Sequence, residues 1–158
     1  MTPVAGNRCS MILPVEEFIA WADRLANLEW PIDELQIPEV AEGLGWRPGE
    51  LEGEFITGLG KPSNLGRFIT NSNGVVIEIG FALTPFLRDE GREAQINDWF
   101  AIYFAAGSEA FGDPVRVIPG SRKEVWWMHQ SGALVDLLSG SRAVLFKVVS
   151  PQGLRYQD

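Results

Sequence analysis

Hydrophobic residues follow two different periods along this chain, and the change of period separates predicted helices from predicted strands. Near the N-terminus one set of apolar residues recurs at helical spacing: Phe18, Trp21, Ala22, Leu25 and Leu28. This spacing is typical of an amphipathic helix. A second helical stretch covers residues 32–44 and is interrupted at Pro38, because proline cannot continue the preceding hydrogen-bond ladder. The first third of the chain is therefore predicted to contain a helical pair.

Residues 52–83 instead alternate with a period of two, as strands do. Three strands are predicted, at residues 52–59, 66–70 and 75–83, after a turn at residues 47–50. The dipeptide Asn73-Gly74 indicates a tight turn between the last two strands, because both residues accept positive φ angles. One face of the third strand is predicted to be buried, and it carries Val75, Ile77, Ile79 and Phe81.

A long and unusually apolar helix is predicted over residues 94–111. Its core-facing row consists of Ile96, Trp99, Phe100, Tyr103, Gly107 and Ala110. The opposite side is apolar too and carries Ala101, Ile102, Phe104 and Ala105. A helix that is apolar nearly all round is usually buried on more than one face. We therefore expect a buried central helix that lies beneath the N-terminal helix, or one that leaves an apolar patch for a partner.

The most regular apolar stretch, residues 123–149, predicts three strands joined by glycine-containing turns, after an edge strand at residues 115–118. Trp126 and Trp127 are adjacent in the first of the three, so they point to opposite sides of the sheet. Strands with large apolar residues on both faces belong in the middle of a sheet that is covered on both sides. We therefore expect this tryptophan pair at the centre of the sheet.

The order of these elements predicts an α+β fold with a mostly antiparallel sheet of about six to seven strands. An N-terminal helical pair and one long buried central helix complete it. At 158 residues the chain has the size of one domain. Residues 1–12 are interpreted as a flexible tail and residues 13–158 as a single α+β domain.

Negative charge is concentrated in the first third of the chain. The formal net charge is −8, and residues 14–54 hold eleven acidic and two basic residues, a balance of −9. Such a field repels nucleic acid and anionic membrane surfaces and attracts basic partners. The predicted partner-binding residues are Asp33, Glu34, Glu39, Glu42, Glu50 and Glu52. A solvated face that only keeps the protein in solution is the alternative interpretation.

Redox and targeting features predict a cytoplasmic protein. Cys9 is the single cysteine, which excludes an internal disulfide and fits a reducing compartment. No run reaches the roughly 18 apolar residues that a membrane span needs. The N-terminus also lacks the apolar core of a signal peptide.

Residues with catalytic or metal-binding chemistry are few. His129 is the single histidine, so a multi-histidine site is excluded, and we interpret it as a surface or turn residue. One carboxylate cluster precedes and enters the long helix: Asp89, Glu90, Glu93 and Asp98. Arg88 and Arg92 are interleaved with it, which favours a salt-paired helix start over a metal site. Residues 58–66 do not match a phosphate-binding loop. No catalytic residue, metal or cofactor is predicted.

Several short segments resemble one known group of proteins. They are Leu28-Glu29-Trp30, Leu44-Gly45-Trp46, Phe111-Gly112-Asp113-Pro114, Pro119-Gly120 and Trp126-Trp127. Together they resemble a family of small, uncharacterised actinobacterial proteins, some of them similar to immunity proteins for secreted toxins. The resemblance implies a cytoplasmic, non-enzymatic protein that neutralises a toxin by binding it, and it implies no catalytic residue.

Two functional hypotheses follow. In the first, an immunity protein occludes the basic active-site cleft of a toxin with its acidic surface. In the second, a secretion-system chaperone binds an exported client through the apolar helix at residues 94–111 and the open face of the strand at residues 75–83. Both hypotheses need a protein partner, and a chaperone is expected to dimerise. An enzyme with an unfamiliar carboxylate site stays open as a third class.

Overall fold

The computed structural model of the chain describes residues 11–156, and they form an α+β fold built on one antiparallel sheet. Its eight strands are β1 (Arg47–Pro48), β2 (Glu54–Ile56), β3 (Leu65–Thr70), β4 (Val76–Ala82), β5 (Arg116–Ile118), β6 (Glu124–Met128), β7 (Leu134–Ser139) and β8 (Val144–Val149). The helices are α1 (Val15–Ala26), α2 (Ile37–Gly43) and α3 (Arg92–Phe111), with 3-10 helices at Glu34–Gln36 and Gly153–Tyr156. The predicted fold class is confirmed.

The sheet has one strand more than predicted, and the extra strand is β1. Its two residues were expected to form a turn, but they pair with β2 at the edge of the sheet. Proline is compatible with that position, because an edge strand can leave one side of its backbone unpaired. The predicted tail and Cys9 fall mainly on residues 1–10, which lie outside the described residues.

The strand order is β1-β2-β3-β4-β8-β7-β6-β5, so two runs of hairpins meet where β4 pairs with β8 in the middle of the sheet. The tryptophan pair lies on β6, second from the edge, and the prediction of a central position is wrong. Trp127 is fully buried and Trp126 is half-buried on the opposite face. Strand β6 can carry a large apolar residue on its helix-free face because neighbouring side chains, and not a second layer of helices, cover Trp126.

All three α-helices pack on one face of the sheet. Phe18 of α1 lies edge-on to Phe146 of β8, with the ring centroids 5.3 Å apart. Trp46, just after α2, lies against Phe81 of β4 at 6.2 Å. Gly107 of α3 lets the helix backbone approach Trp127, because a Cβ atom there would overlap the indole ring. This face therefore holds the hydrophobic core.

Helix α3 buries only one face, so the predicted burial beneath the N-terminal helix is wrong and the alternative, an apolar side left exposed, is what the structure shows. The predicted core row is buried from Ile96 to Gly107, whereas Ala110 is exposed. On the outer side Ala101 and Ala105 are exposed, and Ile102 is 46% exposed. The reason is that α1 packs beside α3 on the same face of the sheet rather than over it.

Strand β4 contains a bulge, because its register with β3 skips Ile77. The extra residue shifts the alternation by one position. Val76 then turns into the core and is fully buried, while Val75 and Ile77 are only half-buried. The predicted buried face of this strand is confirmed for Ile79 and Phe81 and wrong for the other two residues.

Candidate functional site

The six predicted partner-binding carboxylates are all exposed. They lie on the 3-10 helix with its N-cap, on α2, and in the loop between β1 and β2; we call Asp33, Glu34, Glu39, Glu42, Glu50 and Glu52 the acidic surface. Among residues 11–154, whose side chains the structure describes, no ion pair joins any of them to a basic side chain. Their negative charges are therefore exposed to solvent and are not neutralised by a bound basic side chain.

Local hydrogen bonds hold part of the acidic surface in place. The Asp33 carboxylate accepts from the Leu35 amide at 2.9 Å, and the Gln36 side chain accepts from the Asp33 amide at 2.8 Å. This reciprocal pair is a capping box, and it fixes the start of the 3-10 helix. The Glu34 amide donates to the carbonyl of Gly74 in the β3–β4 turn at 2.7 Å. This hydrogen bond attaches the 3-10 helix to the β3–β4 hairpin of the sheet.

Two leucines lie in the same segments as the acidic surface and project into solvent. Leu35 is 87% exposed and Leu51 is 68% exposed, the two highest values among the large hydrophobic residues of the described chain. The capping box holds the turn that carries Leu35, so its exposure is a property of a fixed backbone. Apolar side chains held out among charges are suited to a protein interface rather than to solvation alone.

A second arrangement, which sequence reasoning missed, crosses the sheet on the face without helices. Successive cross-strand partners form one row: Arg116, Trp126, Asp136, Lys147, Gly80, Arg67 and Glu54. We call this set the charged row. Cross-strand partners point to the same side of a sheet, so this row runs across seven strands and brings five ionisable side chains together on one face.

Short polar contacts connect the middle of the charged row. The Lys147 ammonium lies 2.8 Å from the Glu78 carboxylate and 4.0 Å from that of Asp136. The Trp126 indole donates to the Glu124 carboxylate at 2.7 Å. At the outer end the Arg116 guanidinium stacks over the Trp126 ring at 4.8 Å. These contacts cover Trp126 without a second layer of helices.

Asp136 is completely buried in this cluster, and its protonation follows from that. Burial raises the pKa of Asp136 to about 9, the nearby Glu124 carboxylate adds to the effect, and the charge of Lys147 opposes it. Asp136 therefore keeps its proton at neutral pH. Burial would also raise the pKa of Glu124, but hydrogen bonds from Asp136 and Trp126 outweigh it and lower the pKa. The pair holds one proton, on Asp136.

The sequence did contain a signal for this cluster. Asp136 is a carboxylate within the otherwise apolar strand LVDLLS, and Lys147 is an ammonium within VLFKVV. A charge inside a central strand needs a partner, and these two are register partners. Because no part of the Asp136 side chain reaches solvent, the carboxyl cannot contact a ligand. The cluster links β4, β7 and β8 across the open face of the sheet.

An open groove adjoins the charged row. It has a volume of about 990 Å³ and lies over β3, β4 and β8, between the loop at residues 60–64 and the segment Pro85-Phe86. Its exposed apolar walls include Met11, Leu65, Ile69 and Phe86. We call this cavity the open-face groove. Its volume is in the range of small-molecule sites.

His129 is a structural residue rather than a surface one, since it is only 6% exposed. Its Nδ1 accepts from the Ser131 amide at 3.0 Å, so the ring proton sits on Nε2 and is donated to Asp23 at 2.8 Å. Ser131 Oγ also lies 2.9 Å from Nδ1, giving the residue types of a nucleophilic triad. However, the amides of Ser131, Gly132 and Ala133 are all engaged within the turn. They leave no oxyanion donor there, so the arrangement clamps α1 to the β6–β7 turn.

The predicted salt-paired start of α3 is wrong. Arg92 donates to the carbonyls of Ser141 and Asp89 instead of pairing with a carboxylate. Across residues 11–156 no three metal-ligating side chains converge. Within the same range, no helix is both long and apolar enough to cross a membrane.

Comparison with family models places most of the chain in one family. Residues 16–150 match the model of a family of unknown function, DUF6301. The chain belongs to the DUF6301 family. No curated protein and no solved structure matches it. The matched DUF6301 region contains the whole acidic surface, the charged row and all of the open-face groove except Met11.

Proposed function

We propose that this DUF6301 protein is a non-enzymatic, cytoplasmic immunity protein. It neutralises a secreted toxin by occluding a basic active-site cleft with the acidic surface. The observation that supports this function best is the exposure of all six carboxylates without an intramolecular ion pair in the described chain. The resemblance to immunity-like actinobacterial proteins points the same way.

In this proposal the two exposed leucines supply the interface with apolar anchors. Interfaces gain most of their binding energy from a few anchors that become fully buried, while surrounding polar groups exclude water and select the partner. Leu35 and Leu51 are the available anchors. The carboxylates around them supply electrostatic complementarity, which raises the association rate and rejects acidic proteins.

Charge reversal tests this proposal. The protein encoded beside this gene is tested as the toxin partner, and its affinity is measured by calorimetry. The variant Glu34→Lys/Glu39→Lys/Glu42→Lys is expected to weaken binding by at least about a hundredfold, because each reversal replaces attraction by repulsion. It is also expected to abolish protection of cells that express the toxin.

The matched control changes charge by the same amount on α3. Glu93→Lys/Asp98→Lys/Glu109→Lys alters three exposed carboxylates that lie away from the acidic surface. It is expected to change the affinity less than about threefold. If both triple variants bind the toxin domain equally well, the acidic surface is not the interface.

The chaperone hypothesis is supported by two features, the exposed apolar residues Ala101, Ile102 and Ala105 on α3 and the uncovered face of β4. Gly80 and Ala82 of that face line the open-face groove, where an apolar client segment would find exposed hydrophobic surface. A chaperone of this kind is expected to be a dimer, so a monomer in light scattering would contradict it. The acidic surface has no role in this alternative.

A further inference from the structure

The open-face groove is where exposed apolar surface is most concentrated. Ten large hydrophobic side chains of the described residues are exposed, and Met11, Leu65, Ile69 and Phe86 all line this groove. Its floor consists of Ala82, Leu145 and the backbone at Gly80. None of the lining residues belongs to the acidic surface, so the groove needs an explanation of its own.

The backbone beneath the groove decides between an alkyl chain and a peptide. Strands β3, β4 and β8 each have a neighbour on both sides, so their amides and carbonyls are used within the sheet. A peptide in the groove would bury its own amides against apolar walls without partners, and each such group costs free energy. An alkyl chain has no polar groups to satisfy. The groove is therefore better matched to an acyl chain.

The charge at the groove favours an anionic headgroup. Lys61 is exposed and lines the groove, and within residues 11–156 no ion pair involves it. The Arg67 side chain is 64% exposed and lies 3.6 Å from the Glu54 carboxylate, a weak contact that a ligand can share. Lys147 is held by Glu78 at 2.8 Å. The chain as a whole has a net charge of −8, so the two accessible cations Lys61 and Arg67 make this groove unusual on an otherwise acidic protein.

We propose that the open-face groove binds a single-chain amphiphile with an anionic headgroup, such as a fatty acid. The alkyl chain lies along Ala82 and Leu145, between the walls formed by Ile69 and Phe86. The headgroup contacts Lys61 and Arg67. This proposal does not depend on the immunity function, because it uses a different surface and a different kind of ligand.

Titration with defined amphiphiles tests the proposal on the full chain. Dodecanoate below its micelle concentration is expected to bind at least about tenfold more tightly than dodecanol or dodecyltrimethylammonium, since it alone combines chain and negative charge. From octanoate to decanoate to dodecanoate, affinity is expected to rise about threefold per added methylene. Lysophosphatidylglycerol, a single-chain phospholipid with a negative headgroup, is titrated in parallel. The tighter of the two ligands shows whether the groove prefers a phospholipid or a free fatty acid.

Two variants with a matched control locate the site. Ile69→Asp places a carboxylate in the groove, and Ile102→Asp places one on the outer side of α3; the two isoleucines are 44% and 46% exposed. Only Ile69→Asp is expected to lower dodecanoate affinity, by at least about tenfold. Lys61→Ala/Arg67→Ala is expected to weaken dodecanoate about tenfold and leave dodecanol unchanged. Melting temperatures confirm that each variant folds.

Three results would overturn the proposal. The first is no saturable binding of dodecanoate or lysophosphatidylglycerol. The second is equal binding of the anionic, uncharged and cationic amphiphiles, or an equal effect of the two isoleucine variants. The third is displacement of dodecanoate by an apolar peptide that binds more tightly, because that result would identify the groove as a client site.

Discussion

Asp136 is a normally charged residue in a fully buried position, which is unfavourable for an ionised carboxylate. Its carboxyl is completely buried and faces Glu124 and Lys147. An ionised carboxylate would be costly at this position, and retention of the proton removes that cost. The proton also gives Glu124 a hydrogen-bond donor, so the two acidic side chains can lie side by side. The raised pKa of Asp136 therefore links the stability of the fold to pH across the neutral range.

The sign of this linkage gives the first prediction. In the unfolded chain Asp136 ionises near its ordinary value of about 3.9, whereas in the fold its pKa is about 9. Between these values the folded state holds one proton more than the unfolded state. The free energy of unfolding is therefore expected to fall as pH rises, by up to about 1.4 kcal/mol per pH unit.

Asp136→Asn is expected to remove this dependence, because its amide can donate to Glu124 without titrating. Urea unfolding between pH 5 and pH 8 checks it, with Asp98→Asn on the exposed side of α3 as the control. At pH 8 the Asp136 variant should be more stable than the wild type, and the control should follow the wild type. Parallel pH profiles for all three proteins would contradict a protonated Asp136.

At the scale of elements, the contact between α3 and β6 depends on the absence of a side chain at Gly107. A methyl group there would overlap the Trp127 ring, which is itself completely buried. Gly107→Ala is therefore expected to lower the free energy of unfolding by about 1–3 kcal/mol, even though alanine favours helix. Chemical denaturation followed by tryptophan fluorescence measures the change.

Gly43 at the end of α2 provides the matched control. A Cβ atom there would meet no heavy atom within 4 Å, so Gly43→Ala adds a methyl group without a clash. It is expected to leave stability unchanged or to raise it by about 0.5 kcal/mol. If both glycine variants lose the same stability, close packing of α3 on β6 is not the cause.

Sequence periodicity predicted the elements well and their burial less well. The positions of α1 and α3 and seven of the strands follow from local patterns. The bulge at Ile77, the strand order and the one-sided burial of α3 depend on pairing between distant residues, which a local pattern does not contain. The same reason explains the missed charged row, since Asp136 and Lys147 meet only through the register of β7 with β8. The acidic surface was predictable because it lies in one continuous segment.

At the scale of the whole molecule, the net charge of −8 is unevenly distributed. The acidic surface carries six exposed carboxylates. On the sheet face Arg116, Lys147 and Arg67 lie among Glu54, Glu78 and Glu124, so positive and negative charges there nearly balance. A strongly negative surface beside a nearly balanced one orients an approaching charged partner. In the two proposals a basic toxin surface would be drawn to the acidic surface, and an anionic amphiphile to Lys61 and Arg67 at the open-face groove. The two proposed ligands therefore do not compete.

The central claim is tested most directly by stopped flow with the proposed toxin partner, in which the association rate constant is measured as a function of ionic strength. If the acidic surface steers a basic partner, the rate constant should fall at least about tenfold between low salt and about 0.5 M salt. The dissociation rate constant should change much less. A rate constant that is independent of ionic strength would contradict recognition through the acidic surface.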